Sequence, residues 1–156
     1  MSEVSKGDRT GEKRVDRQEV KLFLKRYRRL EERKRAVADR IKRIEDSATG
    51  TTANLDGMPR ASGTGDKVGK GATDAADFKR ELDRLGAEAD KAEREIFFTI
   101  DKVENAYCAE ILNRHYIGFQ TFPVIADAMH YTERWVQELH GRALDAVGEI
   151  IERREE

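Results

Sequence analysis

The sequence predicts an all-α protein: a long antiparallel helical hairpin, in the manner of a coiled coil, followed by a small C-terminal unit of short helices. Three observations carry this. Charged residues make up 39% and hydrophobic residues 38%, with only two prolines, which suits helix seams and a small core but not a thick globule. Apolar residues recur at three- and four-residue spacings along two stretches of roughly 30 residues each. A segment rich in Gly, Ser and Thr separates them.

Residues 1–15 are polar and contain glycine, and are expected to be disordered. Asp16 followed by Glu19 reads as a capping box. From there Val20, Phe23, Tyr27, Leu30, Val37, Ile41 and Ile44 form one apolar stripe, which predicts a helix over 17–46. Residues 47–73 have few large apolar side chains, Leu55, Met58 and Val68, and predict a long flexible loop, most mobile over 50–72. Thr73, Asp74 and Asp77 favour a helix start. Phe78, Leu82, Leu85, Ala89, Ala92, Ile96, Ile100 and Val103 then repeat as a coiled-coil seam, giving a second helix over 74–104. Pairing the two stripes within one chain makes a hairpin over 16–104. A parallel coiled coil between two chains, and hence a homo-oligomer, satisfies the same pattern. The second helix either breaks near Asn105 or continues through Tyr107, Ile111 and Leu112.

Residues 105–152 predict a helix-turn-helix domain. A first helix spans Ala106 to Tyr116, with Ile111 and Leu112 as core candidates, and Gly118 marks a turn. In TFPVIADAMHYTERWVQELH, residues 121–140, Thr121 can cap a helix whose first turn tolerates Pro123. Ile125 and Met129 face inward and Ala126 is the small residue at a helix crossing. His130 and Tyr131 make the turn, and His130 stands where glycine is commoner because the position wants a positive φ. Thr132 caps the next helix, with Val136, Leu139 and Leu144 inward. The competing structural reading is an amphipathic hairpin that packs on the coiled coil.

Charge is polarised: the formal net charge is −1, but residues 1–50 are net basic and 101–156 net acidic. A lone cysteine, Cys108, excludes an internal disulfide and favours a reducing compartment. The absence of a long apolar run excludes a membrane-spanning helix, and the polar N-terminus lacks a signal-peptide core. Neither His115, His130 and His140 nor Cys108 has metal-ligand spacing, so no metal is expected. The glycines between Gly57 and Gly71 lack a Gly-Lys-Ser/Thr sequence and a preceding strand, which argues against nucleotide hydrolysis. No catalytic constellation emerges, and neither an enzyme nor a cofactor is expected.

The stretch YCAEILNRHYIGFQTFPVIADAMHYTERWVQELHGRAL resembles region four of bacterial sigma factors. More closely it resembles small phage-encoded transcriptional regulators of the RinA and ArpU type, through RHYIGFQTF, IADAM, YTERWV and LHGRAL. The segment LDGMPRASGTGDKVG is similar to a Gly-Met-Pro loop in phage members of that group. Gln137 and Glu138 depart from the pattern, standing where an aromatic and a basic residue are commoner. The resemblance implies a coiled-coil N-terminal half, a sigma-region-four-like DNA-binding domain, double-stranded DNA as partner, promoter recognition beside RNA polymerase, and residence in a bacterial cytoplasm.

On that reading the helix beginning at Thr132 enters the major groove. Arg134 can read guanine and Gln137 adenine, against the plainer reading of a solvated helix face. Glu133 either accepts from a cytosine amine or caps the helix. Trp135 either touches a thymine methyl or a sugar, or packs on the preceding helix or on a partner. His140 and Arg142 fit phosphate contacts. The basic run from Lys21 to Arg35 encircles the first helix, with Arg26, Arg29 and Arg33 as candidate phosphate contacts. Two other functions fit the same pattern: DNA-packaging recognition, like a terminase small subunit, or a coiled-coil adaptor without DNA.

Overall fold

In the computed structural model, residues 15–49 and 65–155 are described, and these are all-helical, with no strand among them. Six helices follow in order: α1 (Arg17–Leu24), α2 (Arg26–Thr49), α3 (Gly65–Ile100), α4 (Ala106–Leu112), α5 (Phe122–Met129) and α6 (Glu133–Glu155). A single π-helical turn, Asn113–Ile117, extends α4.

Asp16 is the N-cap of α1, and its backbone N–H donates to Glu19 Oε2 at 3.3 Å. The predicted helix 17–46 is interrupted at Lys25 and runs on to Thr49. α2 lies antiparallel to α3. Arg26 pairs with Glu95, Arg33 with Glu81 at 3.3 Å, and Glu45 with Lys79 at 2.8 Å. Two helices cannot enclose a seam, so Leu30, Val37 and Ile44 stay half-buried and α2 contributes only Ile41 fully.

The loop expected over 47–73 is helical at both of its ends. Residues 47–49 end α2, and α3 begins at Gly65, nine positions ahead of the predicted start at 74. Glycine costs a helix about 1 kcal/mol relative to alanine, which is why GDKVGKGAT read as irregular. Neighbouring structure supports it: Gly71 faces Ile44 of α2, and Thr73 Oγ1 donates to the Gly69 carbonyl at 3.0 Å. The remaining loop residues, 50–64, and residues 1–14 lie outside the described residues.

α3 ends at Ile100, four residues short of the predicted 104, and after a short turn Asn105 caps α4 by accepting from the Cys108 N–H at 3.1 Å. The main core crosses this break. Val20 and Leu24 of α1, together with Ile96, Ile100 and Val103, join Ile111, Leu112, Ile125, Val136, Leu144 and Val147 in one buried cluster. α1 is clamped to α6 by a bidentate Arg17–Asp145 pair with both contacts at 2.6 Å, and the Val15 N–H donates to Glu152 at 2.6 Å. Cys108 is buried, as a small filler would be, and burial pushes its thiol pKa up. No helix among the described residues is long and apolar enough to cross a membrane.

Candidate nucleic-acid interface

α5 and α6 are joined by a turn that spends only three residues. Its geometry follows from the end of α5. The Tyr131 N–H donates to the Ala126 carbonyl at 3.0 Å and the His130 N–H to the Asp127 carbonyl at 3.2 Å, the paired bonds of a Schellman ending. That ending demands a left-handed residue, and His130 supplies it with φ 59° and ψ 38°. A side chain there costs about 1–2 kcal/mol that glycine avoids. His130→Gly is therefore expected to keep or raise the melting temperature. His130→Val, β-branched at the same φ, should lower stability by about 1–2 kcal/mol; thermal unfolding of both variants checks the pair.

Thr121 occupies the N-cap of α5 without a side-chain hydrogen bond, and Pro123 sits in the first turn. Thr132 caps α6 through Oγ1, which accepts from the Trp135 N–H at 3.2 Å. Ile125, Ala126, Val136, Leu139 and Leu144 are buried and hold the two helices on the core. The opposite face of α6 is open. Glu133, Arg134, Gln137, Glu138 and Arg142 are exposed together, and the Arg134 side chain is 90% accessible. Arg134 bonds to Glu138 at 3.3 Å and Gln137 to Glu133 at 3.1 Å. Each candidate reading side chain is thus held by a carboxylate one helical turn away, a pairing weak enough at a solvated surface to be exchanged for a partner.

Trp135 is half-buried in an aromatic stack. Its ring lies 3.8 Å from that of Tyr131, and the edge of Tyr107 of α4 meets it at 5.8 Å. This is the packing on the preceding helix that the sequence offered as one alternative.

His140 corrects the sequence reading: it is buried, and no phosphate can reach it. Its Nε2 is hydrogen-bonded to the Tyr116 hydroxyl at 2.9 Å, and the ring meets His115 and Phe122. α1 packs on this side of α6 and widens its buried face. Burial, then the nearby positive charges of His115, Lys21, Arg17 and Lys25, push the His140 pKa down to about 4. Burial likewise pushes the Tyr116 phenol up to about 12. Because the folded pKa of His140 lies below its ordinary 6.5, the unfolded chain takes up that proton first as pH falls. Its stabilising share is complete above pH 6.5 and is lost between 6.5 and about 4, at a slope of at most about 1.4 kcal/mol per pH unit. An NMR titration of the His140 ring should show it neutral until near pH 4; a midpoint above 6 would contradict the buried pairing.

The basic first half is also redistributed. Arg26 and Arg33 were expected at phosphates, but both point at α3, where Glu95 and Glu81 pair with them. Arg29 is exposed and forms no ion pair among the described residues. Within the basic run the structure singles out one row, which also takes in Arg17 ahead of it. Arg17, Lys21 and Lys25 recur every four residues, and Arg28 and Arg29 follow after the helix interruption. The charges of Arg17, Lys21 and Lys25 bear on His140, and those of Arg28 and Lys25 on His115. The row therefore runs along α1 and α2 beside the α5–α6 unit. Arg17 is the member that the sequence reading left out, and its four-residue spacing from Lys21 was the available signal. Among the described residues no group of three or more His, Cys, Asp or Glu side chains is placed to hold a metal ion. No family model, curated protein or solved structure matches the chain.

Proposed function

We propose that this protein is a sequence-specific DNA-binding transcriptional regulator of phage or prophage type, which reads the major groove with the first two turns of α6. The observation that carries the reading is the α5–α6 pair. Two helices on a common core are joined by a left-handed turn at His130, and the second is capped by Thr132 and presents Arg134 and Gln137 outward. Side chains at that end of a recognition helix reach base edges. The resemblance to sigma region four supports the same assignment and suggests promoter DNA beside RNA polymerase. The open face of α6 carries as many carboxylates as arginines, so its own attraction for phosphate is small. The basic row on α1 and α2 would supply that attraction, which dominates duplex affinity and its salt dependence.

Selection of duplexes from random sequence with the purified protein, followed by titration of the selected and scrambled duplexes, tests the reading. Enrichment of one motif with preference over scrambled DNA is the expected result. Equal, weak binding to every duplex at low salt would leave a nonspecific binder, and no binding would leave an adaptor.

A further inference from the structure

A cavity of about 330 Å³ opens between the α1–α2 junction and the π-helical turn, lined by Lys25, Arg28, Arg29, Glu32, His115 and Tyr116. Three cations face one carboxylate there. Arg28 bonds to Glu32 at 3.0 Å, whereas Lys25 and Arg29 form no ion pair among the described residues. Their neighbours on α2 differ in this respect: Arg26, Arg33 and Lys34 each hold a carboxylate. Arg26 and Arg33 are paired with α3, while Lys25 and Arg29 at the cavity are not.

Of the lining residues His115 and Tyr116 are aromatic, and a further aromatic pair outside the lining holds Arg28. Phe119 sits at φ 55°, a left-handed conformation rare for an aromatic residue. There its ring stacks on Tyr27 at 5.3 Å and carries the Arg28 guanidinium at 5.7 Å. Gly118 permits this bend, because a Cβ there would lie 2.9 Å from the Arg114 carbonyl oxygen. Aromatic surfaces beside the cations strengthen their field by keeping water back. At roughly 30 Å³ per water, the space holds about ten waters, or a tetrahedral oxyanion with some of its hydration.

We propose that this cavity is a phosphate-binding site. Arginine forks and a lysine ammonium suit a phosphate ester. The cavity also borders the start of α5, since His115, on its wall, stacks on Phe122 at 4.6 Å. In helix-turn-helix complexes the first helix of the pair crosses the DNA backbone. The identification of that phosphate as one of the DNA backbone rests on the function proposed above; the alternative source is a free phosphoester.

The test uses the full chain and three proteins: wild type, the Lys25→Gln/Arg29→Gln double variant, and an Arg35→Gln/Arg43→Gln control with the same charge change elsewhere on α2. All four positions are exposed, so circular dichroism should be unchanged. Each protein is titrated with the selected and a scrambled duplex at two salt concentrations, and with inorganic phosphate at matched ionic strength while the His115 ring signals are followed. The expected result is a cavity variant weakened equally on both duplexes, with a salt slope shallower by about two, a control close to wild type, and phosphate-dependent shifts at His115 lost only in the cavity variant. Phosphate shifts without a duplex effect would keep the site and assign it to a free phosphoester. Shifts in a wild type that binds no duplex would keep the site and remove the DNA reading. A duplex-binding wild type matched by the cavity variant, with no phosphate shift at His115, would overturn the site and leave the DNA reading standing. Equal weakening of cavity variant and control would also overturn it, since diffuse charge then explains the effect.

Discussion

Ile100→Ala should destabilise the protein by about 2–5 kcal/mol, the range for truncating a fully buried isoleucine, and should do so in one transition. Ile100 ends α3, yet it belongs to the cluster that contains Val20 of α1, Ile125 of α5 and Val147 of α6. Removing three carbons there opens a void that four helices share, and close-packed interiors relax only partly around such a void. Denaturant unfolding followed by far-UV circular dichroism and by Trp135 fluorescence should give coincident midpoints, both shifted. A shift seen by the tryptophan alone would mean that the α2–α3 pair folds independently of the C-terminal helices. Ile41→Ala is the useful comparison: it lies in the two-helix seam, where solvent can fill the gap, and its cost should fall at the low end of the range.

Arg134→Ala should weaken binding to the selected duplex by about 1–3 kcal/mol and relax preference at one base pair, as loss of a base contact does. Arg142→Ala, one position past Gly141 and also exposed, should weaken binding to all duplexes alike, because a phosphate contact carries no sequence information. Glu138→Gln makes the argument reciprocal. It frees Arg134 from its 3.3 Å partner and removes a negative charge from the face presented to DNA, so it should tighten binding. None of the three changes should move the melting temperature by much, since these side chains are solvated. Wild-type binding by all three would take α6 out of the interface.

Much of the geometry of α5, the turn and α6 was legible because it is local. Thr132 three residues before the Trp135 N–H, Ala126 at the crossing and a left-handed His130 are all consequences of spacing along one short segment. His140 was not legible, because its burial depends on the π-helical turn and α5 bringing Tyr116, His115 and Phe122 against α6. Arg26 and Arg33 failed for a related reason: an eight-cation run shows no preferred face until α3 brings Glu95 and Glu81 alongside. The start of α3 was missed where glycine propensity and tertiary support disagree. Phe119 gave no warning. Gly118 beside it reads as the flexible position, yet the positive φ falls on the phenylalanine.

The clamp between the chain's first and last described helices has a consequence for biosynthesis. Arg17 meets Asp145 and Val15 meets Glu152, contacts separated by 128 and 137 residues. α2 and α3 lie close in sequence and can pair while translation continues, but α1 lacks its partner on α6 until that helix has emerged from the ribosome. Contacts of such long separation form late because a large loop must close first. A nascent chain arrested before residue 133 should therefore expose Val20 and Leu24, and a protease with access to α1 should cut it until the final helix arrives.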